Sequence, residues 1–214
     1  LLAIAAEPYA VAKAVSEGEG RNHSAIFMDI GGGTTDIAVV VNGGVVGTKM
    51  FAFGGRSFTR RIASPLGLPF SQAEEVKLAY SRGELSDERT KKVQEAVRAD
   101  CEVWFAGVEI TLGEFQNVDL LPSKILLCGG ASNLPDVVAI LNEKRWSTKL
   151  PFSKPPSVNY IDPKAIFSVV DETQTLTSVQ DITPMALADL SIGLVGEGGV
   201  VDTLLGKAAS AMRK

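Results

Sequence analysis

The sequence predicts an α/β domain in which a run of helices separates the strands of one sheet. Two short apolar segments, 25–30 and 36–41, flank a glycine-rich turn and are typical of paired strands. Residues 125–128 are continuously apolar and lead into two glycines and a helix start, as at the end of a strand covered on both faces. Between these strands, residues 86–115 carry apolar side chains at helical spacing, which predicts one long helix or two joined helices against a core.

Local signals place the first elements. Residues 1–17 are rich in alanine and predict a helix, with Pro8 early in it, where a missing N–H matters least. The dipeptide Asn42-Gly43 is a strong hairpin signal, and it leads into a third strand at 45–53. Three consecutive antiparallel strands therefore open the domain as a β-meander.

Weaker signals place the later elements. Ser71 and Glu74 have the spacing of a capping box, which predicts a helix start at Ser71. Residues 150–163 are rich in proline and predict irregular chain at the surface. Residues 184–195 predict a helix that packs on the sheet.

Composition excludes some classes of protein. The chain has 214 residues, 45% of them hydrophobic, with a net charge of −4 and a pI near 5.2, so a general nucleic-acid binder is not expected. Cys101 and Cys128 are far apart and predict two buried, reduced thiols. His23 lies in a polar run and predicts an exposed loop residue. No apolar run is long enough to span a bilayer, and no secretory signal is apparent.

The turn between the first two strands carries the clearest chemistry. Asp29 precedes it, and three glycines followed by two threonines form it. Glycines let the backbone approach a ligand closely and aim several N–H groups at one point, which suits phosphate. A carboxylate beside phosphates can hold a hydrated magnesium ion. A glycine-rich hairpin is the ordinary alternative, but the flanking acids, Asp29 and Asp36, and the paired threonines favour a phosphate site.

This pattern resembles the second phosphate motif of the actin-like ATPase superfamily. The resemblance implies an RNase H-like fold with a mixed five-stranded sheet, and ATP and Mg²⁺ as cofactors. It assigns Asp29 to the magnesium ion, through water, and to catalysis. The residues it places near the phosphates are Gly31, Gly32, Gly33, Thr34 and Thr35.

Three further positions match the superfamily. Glu7, before a proline at the start of the first helix, would orient the attacking water; the alternative is a Glu that complements the helix dipole. Glu74 and Lys77 share a helix face and would reach the ribose and adenine; the alternative is an exposed ion pair. The strand–glycine–helix junction resembles the adenosine motif, although many α/β turns look alike. Its purine-contacting residues would be Gly129, Gly130 and Ala131.

The layout is similar to that of the cell-division protein FtsA and the pilus protein PilM. It implies a core of residues 1–55 and 121–199, an inserted helical subdomain at 56–120, and a tail at 200–214. The tail has a modest apolar stripe, which predicts either a membrane-surface helix or a packed terminal helix. Arg61 stands where many FtsA-like sequences carry Asp.

The resemblance implies the C-terminal half of a larger protein, since the chain opens inside a helix without an initiator Met and nothing matches the superfamily's first phosphate motif. We expect an FtsA-like division protein that is cytoplasmic, either free or at the inner face of the membrane. Its implied partners are the missing N-terminal half, other copies in filaments, the tubulin-like protein FtsZ and the membrane surface, but no nucleic acid. The alternatives are a PilM-like scaffold that binds pilus assembly proteins, and a chaperone-like or sugar-kinase-like ATPase. The whole protein would be a weak ATPase at most, and this half alone inactive.

Overall fold

A computed structural model describes residues 4–19, 22–143 and 150–196 of the chain. The helices are α1 (Glu7–Glu19), α2 (Gly55–Leu66), α3 (Phe70–Ser81), α4 (Asp87–Gly113), α5 (Pro135–Leu141) and α6 (Ile182–Gly196). The strands are β1 (Ala25–Ile30), β2 (Thr35–Val41), β3 (Gly44–Phe51), β4 (Lys124–Cys128) and β5 (Ser157–Tyr160).

The strands form one five-stranded sheet in the order β3-β2-β1-β4-β5. The pairs β1–β2 and β2–β3 are antiparallel, whereas β1–β4 and β4–β5 are parallel. The predicted mixed sheet is therefore confirmed. The hairpin between β2 and β3 turns at Asn42 and Gly43, both with positive φ (51° and 76°), as a type I′ turn requires.

The sheet is covered on both faces. Alternate residues of β1 and β4, such as Ile26 and Ile125, pack against α2, α3, α4 and α5. The residues between them, such as Phe27 and Leu126, pack against α1 and α6. This two-sided burial explains why β4 reads as a continuous apolar run.

Helix α4 is a single helix of 27 residues, and it anchors the first of these two layers. Its Trp104 is fully buried, and the indole Nε1 donates a 2.9 Å hydrogen bond to Thr35 Oγ1 on β2. The indole thus satisfies its polar atom inside the core, as a buried tryptophan must.

Three sequence expectations are wrong in detail. The proline-rich stretch contains β5, because parallel pairing with β4 supplies hydrogen bonds that local sequence does not predict. Helix α3 begins at Phe70 after Pro69, without a side-chain cap, so Ser71 and Glu74 do not form a capping box. His23 is 7% exposed rather than a surface residue, and its Nδ1 lies 3.2 Å from a carboxylate oxygen of Glu19.

The two thiols, Cys101 and Cys128, are free and buried, as expected. No helix within residues 4–19, 22–143 and 150–196 is long and apolar enough to cross a membrane. The division into a core and an inserted subdomain stays a prediction, and the helices assigned to the insert share their hydrophobic cluster with the sheet. The tail at 200–214 lies outside the described residues.

Candidate functional site

The glycine turn joins the ends of β1 and β2. The N–H of Gly31 donates a 3.0 Å hydrogen bond to the carbonyl of Thr34, which closes the turn. Gly32 and Gly33 are exposed at its tip. Within the described part of the chain, the N–H groups of Gly32, Gly33 and Thr34 have no acceptor. Three unpaired donors in sequence are the arrangement that binds an anion.

A second glycine pair, Gly54-Gly55, packs against this turn. The N–H groups of Gly55 and Arg56, at the start of α2, donate to the carbonyls of Gly31 (2.9 Å) and Gly32 (2.7 Å). A Cβ on Gly54 would lie only 2.6 Å from the Gly31 oxygen, so the two turns require glycine for their close approach. The helix start therefore holds the carbonyl oxygens of the turn and leaves its N–H groups free.

The protein itself does not explain the glycines at the tip of the turn. Neither Gly32 nor Gly33 has a left-handed φ. A Cβ on Gly33 would meet no described atom within 4 Å, and a Cβ on Gly32 would meet only the Arg56 side chain at 3.7 Å. Glycine weakens a fold by its conformational entropy, so its use here indicates a close approach by something else. The turn fits a phosphate group in both its donors and its open space.

Asp29, the predicted magnesium-positioning residue, is almost fully buried at the end of β1. Its carboxylate lies between Gly129 and Thr183 on α6. Gly129 comes directly after β4 and has a φ of +82°. The Thr183 hydroxyl donates a 2.5 Å hydrogen bond to Asp29 Oδ2. Burial raises the pKa of Asp29; the Thr183 hydrogen bond opposes this rise, and the nearby charges of Asp36 and Glu7 add to it.

Glu7, at the start of α1, lies near Asp29 and Asp36. It is exposed, and together with Thr34 and Asp36 it lines a groove of about 310 Å³ beside the glycine turn. Asp36 is held by Thr34, whose hydroxyl donates to it at 2.8 Å. Among the described residues, no group of three or more acidic, His or Cys side chains forms a ready metal site. A hydrated Mg²⁺ needs only one or two carboxylates when phosphates and water supply the remaining ligands. The single carboxylate of Asp29 could therefore hold such an ion.

Glu74 and Lys77 form a half-buried pair rather than an exposed one. The Lys77 ammonium is 2.8 Å from Glu74 Oε1, and it also donates to Thr59 Oγ1 (3.0 Å) and the carbonyl of Gly55 (3.2 Å). Its three donors are therefore all used by the protein. Burial raises the pKa of Glu74, but hydrogen bonds from Lys77 and Thr59 and the charges of Lys77 and Arg56 outweigh it, so the pKa lies below its usual range. Glu74 keeps about a third of its side chain exposed and is the member able to meet a ligand.

The second glycine junction completes the surface. Gly130 is exposed, whereas Gly129 and Ala131 are buried. A Cβ built on Gly55 would lie 3.2 Å from Lys77 Nζ and 3.3 Å from Ala131 Cβ, so Gly55 lies between the two. The structure thus brings the glycine turn, the Glu74–Lys77 pair and the β4 junction together around Gly55.

The expectation for Thr35 is corrected. Its side chain is fully buried, and its hydroxyl donates to the carbonyl of Phe53 and accepts from Trp104 Nε1. The alternation of a strand explains this, because Thr35 is the first residue of β2 and points into the core. Thr34, one position earlier, lies on the groove side.

Sequence reasoning missed three contributors to the site. Thr183 lies 154 residues from Asp29, and no local pattern marks it. The pair Gly54-Gly55 contributes through contacts with the first glycine turn, and only the structure shows these contacts. Arg56 follows that pair and could have been noticed as a cation beside a phosphate motif. Arg61, by contrast, is explained by Asp100, whose carboxylate lies 2.6 Å from its guanidinium.

Comparison with solved structures confirms the fold class. One similar structure is that of the PilM–PilN type IV pilus biogenesis complex, with a TM-score of 0.65 at 20% identity over 87% of this chain and 52% of that one. Another is the ethanolamine utilization protein EutJ from Carboxydothermus hydrogenoformans, with a TM-score of 0.54 at 24% identity over 83% of this chain and 52% of that one. At these identities the likeness is one of fold, and the fold is that of actin-like ATPases.

Sequence comparison gives the family. The chain is 29% identical over 154 residues to cell division protein FtsA of Neisseria meningitidis serogroup B, across 62% of this chain and 37% of that protein. It is 29% identical over 156 residues to the FtsA of Pseudomonas aeruginosa, across 64% of this chain and 37% of that protein. The chain therefore spans well under half the length of these relatives. The family model described as "Cell division protein FtsA" matches residues 26–179, which is most of the chain and contains the glycine turn and the β4 junction, so the chain belongs to the FtsA family.

Proposed function

We propose that this chain is the C-terminal nucleotide-binding half of an FtsA-like, actin-family ATP-binding protein of bacterial cell division. The observation that carries the proposal is the turn at 31–34, whose free N–H groups and unoccupied Cβ space at Gly32 and Gly33 fit a phosphate. Membership of the FtsA family supports the link to division.

The residues around the turn account for ATP and magnesium. Gly31, Gly32, Gly33 and Thr34 bind phosphate through their backbone, and Asp29 holds the magnesium ion through water. Glu74 contacts the ribose. Lys77, which was expected to reach the nucleotide as well, instead orients Glu74, because its donors are used within the protein. The purine lies on Gly129, Gly130 and Ala131. A magnesium ion bound there would neutralise charge on the phosphates and fix their orientation.

Any hydrolysis depends on the two carboxylates at the turn. Glu7, exposed on the groove, orients the attacking water. Asp29 holds the position of the hydrated magnesium ion. The free N–H groups of the turn stabilise charge on the transferred phosphoryl group. We propose that the whole protein is a weak ATPase at most and that this chain alone, which supplies one side of the site, is inactive.

In the cell, the protein is cytoplasmic and works at the inner face of the membrane. Its partners are its own N-terminal half across the nucleotide, further copies in a filament, and the tubulin-like FtsZ. The segment 200–214 supplies membrane contact. A pilus-type scaffold is the second candidate; the PilM likeness is one of fold at 20% identity, whereas the family match favours division.

Calorimetry on the natural full-length protein tests the nucleotide site. ATP is titrated with and without Mg²⁺ into the wild type, Asp29→Ala, and Asp119→Ala as a control at an exposed aspartate away from the site. We expect binding to the wild type and the control, and loss of the magnesium-dependent part in Asp29→Ala. No binding of ATP by the wild type would exclude the proposal.

Sedimentation with vesicles containing anionic lipid tests the membrane contact separately. The natural protein is compared with a version that lacks residues 200–214. We expect the truncated protein to stay in the supernatant while it still binds ATP. Equal pelleting of the two proteins would rule out this segment as the membrane contact.

A further inference from the structure

Arg56 lies directly against the glycine turn. It is the second residue of α2, and its backbone N–H donates a 2.7 Å hydrogen bond to the Gly32 carbonyl. Its side chain folds back along the same residue, because Nε would lie 3.7 Å from a Cβ on Gly32. The backbone bond fixes where the side chain begins, and the Nε of the guanidinium lies beside the turn.

Within the described residues, this guanidinium forms no ion pair. Arg56 is exposed, and no carboxylate among the described residues comes within ion-pair distance of it. Other arginines nearby are engaged: Arg61 pairs with Asp100, and Arg60 donates to Ser57 Oγ at 3.4 Å. The charge of Arg56 reaches Glu74, whose pKa it helps to lower. Arg56 is thus a free cation between the glycine turn and the residue assigned to the ribose.

The free donors at this place converge. Gly32, Gly33 and Thr34 present unpaired N–H groups within the described chain, and Arg56 adds up to five charged N–H donors beside Gly32. Backbone N–H groups alone bind one oxygen at a time, whereas a guanidinium can bridge two oxygens of a phosphate and supplies a full charge. The combination matches a chain of phosphates that carries several negative charges.

We propose that Arg56 is a phosphate-contacting residue that makes this site select nucleotides by their number of phosphates. The inference rests on the proposed nucleotide site and adds a determinant of specificity to it. Arg56 contacts the phosphates that lie on the glycine turn. Glu74, on the other side of Arg56, contacts the ribose. Removal of Arg56 therefore weakens binding of ATP and ADP and leaves binding of adenosine unchanged.

The experiment measures dissociation constants of ATP, ADP and adenosine by calorimetry with Mg²⁺, on the natural full-length protein. The variants are Arg56→Ala, Arg56→Lys, and Arg60→Ala as the matched control on the same helix. We expect Arg56→Ala to weaken ATP binding about tenfold or more, as for a charge-assisted hydrogen bond, and Arg56→Lys to recover part of it. Arg60→Ala should bind as the wild type does, and all proteins should bind adenosine equally.

Other outcomes separate this inference from the proposed function. If the wild type binds ATP and Arg56→Ala binds it equally well, Arg56 does not contact phosphate, while the site itself stands. Equal losses in Arg56→Ala and Arg60→Ala would indicate general surface charge and overturn the inference. A loss of adenosine binding that matches the loss of ATP binding would place Arg56 away from the phosphates. If the wild type binds no nucleotide, the proposed function and this inference fail together.

Discussion

Thr183 and Asp29 join the last helix of the described chain to the end of its first strand. The hydroxyl of Thr183, in the first turn of α6, donates a 2.5 Å hydrogen bond to Asp29 Oδ2. Gly129 lies against the other oxygen of the same carboxylate. Asp29 is therefore held from two sides by elements far from it in sequence, and its orientation depends on how α6 packs.

Replacement of Thr183 tests this positioning. We expect Thr183→Val, which keeps the shape but lacks the hydroxyl, to weaken magnesium-dependent ATP binding several-fold, because Asp29 loses its only side-chain donor among the described residues. Thr183→Ser should restore it. Ser191→Ala on the same helix is the control, since in the described part of the chain the Ser191 hydroxyl bonds only the backbone carbonyl of Ala188. Calorimetry with and without Mg²⁺ gives the readout, and equal affinity for Thr183→Val and wild type would contradict the role.

The buried charge of Asp29 predicts a pH-dependent stability. Burial, opposed by the Thr183 hydrogen bond and increased by Asp36 and Glu7, raises its pKa in the fold above the unfolded value. The folded chain therefore binds the Asp29 proton more tightly than the unfolded chain does, which stabilises the fold at low pH. This stabilisation is lost as pH rises through the folded pKa. We expect Asp29→Asn, without metal or nucleotide, to raise the melting temperature at pH 7.

The same experiment at acidic pH provides its own control. Below the unfolded pKa of an aspartate, about 3.9, wild type and Asp29→Asn are both neutral at this position and should melt at similar temperatures. Thermal melts across that range, with Asp119→Asn as an exposed control, measure the difference. A lower melting temperature for Asp29→Asn at pH 7 would show that ionised Asp29 stabilises the fold instead.

The local parts of this molecule could be predicted from sequence, because periodicity and turn chemistry are local signals. The type I′ hairpin at Asn42-Gly43, the long α4 and the strand-to-glycine junction after Cys128 all follow from short patterns. The position of the fifth strand could not be predicted from local sequence, since this strand lies in a proline-rich segment and depends on pairing with β4.

The candidate site shows the same division. The motif residues Asp29 and Gly31–Gly33 stood out because their pattern is contiguous. Thr183 did not, since hydrogen bonds over 154 residues leave no trace in local sequence. Thr35 was misassigned because a pattern does not show which face of the strand a side chain takes, and its hydroxyl is buried against Trp104.

Gly129 and Gly33 are expected to be glycine for different reasons, the first because the fold requires it and the second because a ligand does. Gly129 has a φ of +82°, and a Cβ there would lie 2.6 Å from the Ile30 carbonyl oxygen, so Gly129→Ala should destabilise the fold by about 2 kcal/mol or more. Gly33→Ala meets no described atom within 4 Å and should change stability by less than about 0.5 kcal/mol. Its methyl group would occupy the space assigned to phosphate, so ATP binding should fall. Denaturant melts and calorimetry measure both quantities, and intact ATP binding by Gly33→Ala would remove the turn from the site.

Lys77 is expected to matter for stability as well as for binding. Lys77→Met keeps the length of the side chain but removes an ammonium group that contacts Glu74, Thr59 and the Gly55 carbonyl. It leaves the Glu74 carboxylate partly buried without its cation, so we expect a loss of about 2–3 kcal/mol in the free energy of unfolding. Lys92→Met is the matched control, because Lys92 forms an exposed i,i+4 pair with Glu88 worth less than about 0.5 kcal/mol. Urea melts of the two variants decide the point: similar small losses would mean that the Lys77 pair contributes no more than a surface pair, and that Glu74 holds its place at the site without it.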